Sequence, residues 1–335
     1  MATIHVPFEH MRQEFRRVLL KAGFAADRAE QLADVLAQNS LDGVASHGWN
    51  RFPVLVEQIA QGYVNVEAEP EKVAAFGAWE QWDARLGPGP LNALFATDRA
   101  MVLAREYGVG CVGLKNTNHW MRAGTYGRRA AEAGFAFFCW TNATPTMAPY
   151  GGRDIRLGNN PLVIAVPKAD GPVVLDMAMT QFAFGKLEVA RRSGERLPVP
   201  GGFDAQGQPT RDPAAILEGG RALPIGYWKG AGLALLLDLI AALISGGRAT
   251  YQIAQHEVEY GVSQVFIAFD VAQAGSAALV EQTVDEIIRD LHETAPDGDG
   301  REVLYPGERV LRTRQRNLEQ GVPVDEAAWQ QILRM

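Results

Sequence analysis

The sequence predicts a mixed α/β protein in which a sheet-containing core is flanked by a helical domain built from both termini. Three observations support this fold class. Apolar residues recur at helical spacing near the N-terminus, strand-like and helical segments alternate only in the middle, and charged helical segments close the chain. With 335 residues, of which 47% are hydrophobic, the chain can bury a large core. We divide it into segments 1–72, 73–225 and 226–335.

The N-terminal segment, 1–72, is predicted to contain three helices. The first two span 7–21 and about 27–39, and each has one apolar face. The third follows Arg51. Pro53 suits the first turn of this third helix, because the N–H group that proline lacks has no partner there.

The stretch Ser46-His47-Gly48-Trp49-Asn50-Arg51 places an imidazole and a guanidinium at the start of the third helix. Histidine can give or take a proton near neutral pH, and arginine can hold a carboxylate with two parallel hydrogen bonds. The pair therefore suits acid–base chemistry on a small carboxylic acid. A helix cap with a half-buried histidine and a surface arginine explains the same residues equally well.

Strands and helices alternate in the segment 73–225. Alternating residues predict a strand over 79–83, and the breaker Gly87-Pro88-Gly89-Pro90 precedes a helix over about 92–107. Residues 191–224 are rich in glycine, proline and charge, and we expect a long surface excursion there. The other elements predicted in this segment are a helix through 128–132 and strands over 111–114, 135–140, 162–166 and 173–175.

The stretch Gly108-Val109-Gly110-Cys111-Val112-Gly113 matches the dinucleotide-binding fingerprint G-x-G-x-x-G. That fingerprint needs a strand before it and a helix that opens inside it. Here a predicted helix precedes the glycines and a predicted strand begins within them. We therefore reject a Rossmann loop at this position.

Two further polar groups stand at the ends of predicted strands. Asn118-His119-Trp120 precedes small residues that open a helix, where backbone N–H groups can face an anion. Taken alone, His119 is better explained as a strand-end imidazole bonded to the backbone. Asp176 follows a strand, a place that suits bonding to ribose hydroxyls or capping of the next segment.

The segment 226–335 begins with Gly226-Tyr227-Trp228-Lys229-Gly230, where glycines and a lysine precede a helix. They suit an anionic group or close packing of that helix. The apolar run 231–244 is predicted to be a buried helix, because it is shorter than the ~20 residues of a membrane span and contains Asp238. The chain is expected to close with a core strand over 263–269 and helices over 278–293 and 325–333, the last capped by Asp325.

Composition argues against several kinds of partner. The net charge of −7 disfavours nucleic acid, since phosphate binding needs a basic face. Cys111 and Cys139 lie in apolar runs and are expected to be reduced core thiols without a metal-binding spacing. Glu9 and Arg12 interrupt any apolar core of a signal peptide. We expect a cytoplasmic protein that binds neither a membrane nor a metal.

Six motifs have the order and spacing found in one known family. They are Ser46-His47-Gly48-x-x-Arg51, Asn118-His119-Trp120, Gly158-x-Asn160-Pro161, Asp176-Met177, Trp228-Lys229-Gly230 and Pro306-Gly307-Glu308. Over essentially its whole length the chain resembles the type-2 malate/L-lactate dehydrogenases, which are unrelated to the Rossmann-fold malate and lactate dehydrogenases. The resemblance implies a nicotinamide cofactor on a non-Rossmann, largely antiparallel sheet, and a homodimer with its site near the subunit interface.

The resemblance also implies roles for individual residues. His47 would donate the proton to the carbonyl that receives hydride, and Arg51 would hold the substrate carboxylate. In some relatives the histidine matching His119 is the preferred acid–base group, so the two histidines could share or exchange roles. Because Asp176 near a ribose would repel a 2′-phosphate, we expect NAD(H) to be preferred over NADP(H). The implied cofactor site comprises Val173, Val174, Leu175, Asp176, Met177, Ala178, Trp228, Lys229, Gly307, Glu308 and Arg309.

Three functions are compatible with these motifs, and the resemblance favours a reductase of a sugar-derived 2-keto acid. The second is another reaction on the same fold: a dehydrogenase of malate, lactate, ureidoglycolate or another small 2-hydroxy acid, or a cyclic-imine reductase. The third is a non-catalytic ligand-binding protein. The presence of both His47 and His119 disfavours this third function.

Overall fold

A computed structural model describes residues 2–219, 221–273, 275, 277–298 and 300–335. The elements of the first half are β1 (Thr3–Val6), α1 (Phe8–Lys21), α2 (Ala26–Leu41), α3 (Phe52–Ala60), β2 (Glu71–Phe76), β3 (Trp79–Asp83), α4 (Gly89–Tyr107), β4 (Val109–Thr117), α5 (Gly124–Glu132), β5 (Phe135–Thr141), β6 (Pro145–Met147), β7 (Leu157–Gly158) and β8 (Leu162–Val166). Those of the second half are β9 (Val173–Met177), α6 (Phe184–Ser193), β10 (Gly202–Phe203), β11 (Pro209–Thr210), α7 (Pro213–Gly219), α8 (Trp228–Ser245), α9 (Thr250–Ile253), β12 (Val262–Asp270), α10 (Ala277–His292), α11 (Glu308–Gln320), β13 (Val322–Asp325) and α12 (Glu326–Arg334).

A seven-stranded sheet forms the centre of the molecule, in the order β2-β3-β4-β12-β5-β8-β9. Only the β3–β4 pair is parallel, and the other five pairs are antiparallel. Strand β12, from the C-terminal part of the chain, lies between β4 and β5, with Phe266 opposite Val112 on one side and Cys139 on the other. The prediction of a non-Rossmann, largely antiparallel α/β fold is confirmed.

The antiparallel pairing brings the ends of several strands to one end of the sheet, which we call the site end. Strands β4, β5 and β9 finish there, and β8 and β12 begin there. The polar residues that flank these strands are therefore gathered at one place although they are far apart in sequence. They are Asn118 after β4, Asn142 after β5, Asn160 before β8 and Asp176 near the end of β9.

A helical domain built from both termini packs beside the sheet, as predicted. Strand β1 pairs antiparallel with β13, so that Ile4 lies opposite Val324. The core of this domain joins α1, α2 and α3 to residues of α12, including Trp329. At its centre the rings of Phe15 and Phe52, both fully buried, lie 4.3 Å apart.

The glycines of the G-x-G-x-x-G stretch lie in or beside β4, between two helical layers. A Cβ on Gly110 would stand 2.1 Å from the carbonyl oxygen of Ala100 in α4, and one on Gly113 would stand 2.5 Å from that of Ile244 in α8. These distances are too short for any side chain. The glycines therefore allow helices to pack closely on both faces of the strand, and the rejection of a Rossmann loop is confirmed.

Helix α8 is buried on one face and exposed on the other. The prediction of a buried helix is therefore wrong for the exposed face. Ala231, Ala234, Leu237 and Ala241 pack on the sheet. Composition identified the helix as apolar apart from Asp238, but it could not show what covers each side. By length and composition alone, α8 could also cross a membrane, and 33% of the helix Trp228–Ser245 is buried. The exposed stripe consists of Leu235, Leu236, Leu239, Ile240 and Leu243.

Two regions are more ordered than the sequence predicted. Within 191–224, expected to be a surface excursion, α7 and the β10–β11 hairpin pack with α6 around a small core of Leu187, Ala190, Leu197 and Ile216. Helix α11 was not predicted at all. Asp325, by contrast, caps α12 as predicted, because its side chain accepts the N–H of Ala328 at 3.0 Å.

Candidate active site

His47 ends a short 3₁₀ turn, Ala45–His47, that connects α2 with α3. The turn is held against α2, since Asn39 Nδ2 donates to the carbonyl of His47 at 2.9 Å. Gly48 permits the close approach of the turn to α2, because a Cβ there would lie 2.2 Å from Ser40 Oγ. Arg51 is the N-cap residue of α3, and His47 precedes it at the end of the 3₁₀ turn.

His119 lies just beyond β4, at the site end of the sheet. The preceding Asn118 fixes this position, since its Nδ2 contacts the carbonyl oxygens of Tyr63, Leu86 and Gly87 at 2.8–3.1 Å. The Nδ1 atom of His119 accepts the backbone N–H of Met121 at 3.0 Å. The alternative of a strand-end histidine bonded to the backbone is therefore correct for Nδ1. The other ring nitrogen, Nε2, takes no part in that bond.

The structure brings the two predicted catalytic histidines together. The rings of His47 and His119 are stacked, with centroids 5.6 Å apart and an interplanar angle of 12°. Burial lowers the pKa of His47, and the charges of Arg51 and Arg122 lower it further, whereas the Asp176 carboxylate raises it. Burial, with the adjacent His47 and Arg51, lowers the pKa of His119 well below its ordinary value.

A buried ion-pair network, which was not predicted, connects the elements around the histidines. Asp42, at the end of α2, accepts from Arg122, and Arg314 of α11 contacts it at 2.8 Å. Arg128 of α5 lies 3.5 Å from the same carboxylate, and Arg122 also lies 3.7 Å from Asp176. The sequence gives no signal for this network beyond the charges themselves, because its members come from four separated segments.

Asp176 lies within β9, and its carboxylate meets the N-terminus of α5. Its Oδ2 accepts the backbone N–H of Gly124 at 2.8 Å. A Cβ on Gly124 would lie 2.7 Å from that oxygen, so a glycine is needed for the contact. The side chain remains 27% exposed, which leaves part of the carboxylate accessible to another ligand.

The three segments predicted to bind the cofactor meet along β9, which is an edge strand of the sheet. The backbone N–H of Val174 donates to the carbonyl of Pro306 at 2.8 Å. Gly307 adopts a φ of 99°, and a Cβ there would lie 3.1 Å from Val174 N. The start of α8 is adjacent as well, because the N–H of Ile225 donates to Met179 just after β9.

The predicted cofactor residues differ in how free their side chains are. Glu308 is occupied within the chain, where the N–H of Tyr305, His292 and Arg312 contact its carboxylate. Burial opposes the ionisation of Glu308, but these hydrogen bonds hold its pKa below the ordinary value. The side chains of Trp228, Lys229 and Arg309 are exposed.

A separate groove of about 1030 Å³ runs between α2, α4 and α5. Asp42, Thr125 and Arg128 line it, but neither histidine does. Ion pairs such as that between Arg129 and Asp98 cross this surface. The groove is therefore separate from the histidine pair.

Comparison with known proteins assigns the family. Residues 6–333 match the family model described as malate/L-lactate dehydrogenase. A 2,3-diketo-L-gulonate reductase from Klebsiella pneumoniae is 43% identical over 329 residues, 98% of each chain. The structure of the malate dehydrogenase of Entamoeba histolytica superposes with a TM-score of 0.94 and 24% sequence identity, covering 99% of this chain and 96% of that one. The sulfolactate dehydrogenase of Methanocaldococcus jannaschii superposes with a TM-score of 0.89 and 31% identity, covering 98% of this chain and 95% of that one. The chain therefore belongs to the malate/L-lactate dehydrogenase family and is an NAD(P)-dependent oxidoreductase.

Proposed function

We propose that this protein reduces a sugar-derived 2-keto acid with NAD(P)H, and that its substrate is 2,3-diketo-L-gulonate, which would become 3-dehydro-L-gulonate. The observation that supports a reductase most directly is the stacked pair His47 and His119 beside Arg51. The substrate is suggested by the 43% identity, over 98% of both chains, to a reductase of that name.

The proposed chemistry needs three groups from this chain. Arg51 holds the substrate carboxylate and so orients the neighbouring carbonyl. His47 donates a proton to the carbonyl oxygen as negative charge develops there, and His119 stands close enough to contact the same oxygen. The half-buried position of the pair strengthens these interactions, because fewer water molecules compete for the charge.

The edge of β9 fits a nicotinamide cofactor. Strand β9 is an edge of the sheet whose Val174 N–H is bonded to Pro306, Gly307 lies against it without a side chain, and Lys229 at the start of α8 supplies a positive charge. Helix N-termini suit the negative charge of a pyrophosphate. When bound, the cofactor supplies the hydride. The exposed carboxylate of Asp176 disfavours a 2′-phosphate nearby, which supports NAD(H) over NADP(H).

We also propose a homodimer whose interface includes α8. The exposed stripe of α8 spans two turns and consists of leucine and isoleucine, whose exposure to water is unfavourable. Helix α10 is amphipathic, yet none of its described side chains, 278–292, is buried. Trp228 and Lys229 begin α8, so a partner placed on this helix would lie next to the cofactor segments.

The test of the proposed function is the decay of NADH and NADPH absorbance with a panel of oxo acids and one cyclic imine. The panel contains 2,3-diketo-L-gulonate, oxaloacetate, pyruvate, the keto acid of ureidoglycolate and a cyclic imine carboxylate. The highest kcat/KM for 2,3-diketo-L-gulonate supports the proposal. A preference for another member would reassign the substrate within the family, and tight cofactor binding without any turnover would favour a ligand-binding protein.

A further inference from the structure

We propose that the two histidines have different roles set by their hydrogen bonds. His47 carries the proton that is transferred, with Ser46 as its positioning residue. His119 remains neutral and donates a hydrogen bond from Nε2 to the same substrate oxygen. This assignment of roles rests on the proposed reductase function. The sequence motifs alone leave open which histidine has which role.

The tautomer of His119 follows from its contact with Met121. The donor in that contact is a backbone N–H, at 3.0 Å from Nδ1, so Nδ1 must be the nitrogen without a hydrogen. The neutral ring therefore carries its hydrogen on Nε2. A proton added at Nδ1 would break this bond and place a second charge beside His47 in a half-buried site.

The backbone around His119 is arranged to make this contact. Met121 adopts a φ of 65°, in the left-handed region that costs a residue other than glycine about 1 kcal/mol or more. Its side chain is nevertheless 2% exposed and well packed. A strained turn that aims an N–H at one imidazole nitrogen is consistent with selection for the tautomer.

His47 has a partner that tolerates both protonation states. Its Nδ1 lies 3.0 Å from Ser46 Oγ, and a hydroxyl can donate or accept by rotating. When the ring is charged, Nδ1–H donates to Oγ and Nε2–H is available to the substrate. When the ring is neutral, the hydroxyl donates to Nδ1 or accepts from it. Burial, Arg51 and Arg122 lower the pKa of His47, and Asp176 opposes this shift, whereas no carboxylate has this effect on the pKa of His119 within the described residues.

The two roles combine in one balanced step. As the carbonyl carbon forms a C–H bond with the incoming hydride, the π electrons of the C=O bond move to oxygen. The oxygen takes the Nε2 proton of His47 and becomes a hydroxyl, and His47 becomes neutral until solvent reprotonates it. Throughout, Nε2–H of His119 stabilises the developing negative charge without leaving its nitrogen.

Glutamine substitutions separate a hydrogen-bond donor from a proton donor, because the glutamine amide can place an N–H near the Nε2 position but cannot release its proton. His119→Gln should retain kcat within about tenfold of the parent, while His119→Ala loses about 10²–10³-fold. His47→Gln should be as impaired as His47→Ala, with a loss of about 10²–10⁴-fold. Rescue by glutamine at 47 but not at 119 would overturn the assignment.

A second measurement needs neither substrate nor cofactor. In ¹⁵N-histidine-labelled protein, long-range ¹H–¹⁵N correlations should show His119 as the Nε2–H tautomer from pH 5 to 9, while His47 titrates. The variants identify the two signals among the six histidines. Ser46→Ala should shift the titration of His47 alone, and Ser46→Thr should restore it. A titrating His119 would overturn the proposal, whereas absent turnover with this pattern intact would contradict only the reductase function.

Discussion

Arg122 donates to Asp42 across a fully buried contact and so joins the helix that precedes His47 to the loop that carries His119. Both side chains are at least 93% shielded from solvent. Arg314 and Arg128 approach the same carboxylate from two further helices. The relative position of the two histidines therefore depends on a charge cluster that contacts neither ring directly.

Asp42→Asn should lower the free energy of unfolding by up to about 3–5 kcal/mol, because the buried Arg122 then keeps only the more distant Asp176 carboxylate, 3.7 Å away, as a counter-charge. It should also reduce kcat, since the loop that carries His119 loses its link to α2. Urea unfolding followed by tryptophan fluorescence measures the first effect. Arg85→Gln is the control, since its ion pair with Glu71 is exposed and should contribute under about 1 kcal/mol. Equal losses in the two variants would contradict this role of Asp42.

The rate of reduction should fall as pH rises. In the proposed mechanism reduction needs protonated His47, and burial lowers the pKa of that ring below its ordinary value of 6.5. The kcat/KM for reduction should therefore reach a plateau below pH 6.5 and decline about tenfold per pH unit above the lowered pKa. The oxidation of the hydroxy acid needs neutral His47 and should show the opposite limb. A reduction profile that rises with pH would exclude His47 as the acid.

Replacing one leucine of the exposed α8 stripe should dissociate the proposed homodimer. Leu239→Asp places a charge in the middle of the stripe, and its desolvation would oppose association. Sedimentation velocity should then show a monomer of 36.5 kDa where the parent shows twice that mass. Leu318→Asp is the matched control, because Leu318 is also exposed but belongs to α11. A monomeric parent would contradict the proposed interface.

Lys229→Ala should raise the KM for the cofactor by more than the KM for the keto acid. The lysine lies at the exposed start of α8, close to the end of β9, where a helix N-terminus and a positive charge favour a phosphate group. Initial rates with each substrate varied in turn provide the measurement. Lys186→Ala, at the start of α6, is a lysine control. A change confined to the KM of the keto acid would assign Lys229 to the other ligand.

Much of the fold could be predicted because its signals are local. The apolar spacing of α1 and α2, the alternation in β3 and the Asp325 cap each depend on neighbouring residues, and all are confirmed. Helix α11 was missed because it contains many charged residues and only one fully buried position, Asn317. The helix has few hydrophobic residues to mark its inner face, although its Arg314 contacts Asp42.

The candidate site was predictable in its residue types but not in its connections. His47 and His119 could be named from short motifs, whereas their stacking depends on how α2, β4 and the following loop meet. The Asp42 network joins residues up to 272 positions apart, so no spacing in the sequence reveals it. The tautomer of His119 depends on its single contact with Met121 N–H, and the partner of His47 is Ser46 Oγ, contacts that only atomic positions provide.

Arg51 decides whether the protein is an enzyme for acids or a general carbonyl reductase. If its guanidinium binds the substrate carboxylate, Arg51→Ala should cost about 2–4 kcal/mol of transition-state stabilisation. Arg51→Lys should also be costly, because it keeps the charge but loses the planar fork. Both losses should nearly vanish for a substrate analogue in which an amide or hydroxymethyl group replaces the carboxylate.

The decisive measurement is a cycle in which Arg51 is one partner and the substrate carboxylate is the other. The guanidinium lowers the pKa of both histidines, so its loss alone could change kcat by altering their protonation. The cycle removes that contribution, because the effect on the histidines is the same with either substrate. What remains is the coupling between Arg51 and the carboxylate. A coupling energy near zero would mean that Arg51 acts only on the histidines, and the physical reason for an acidic substrate would be lost.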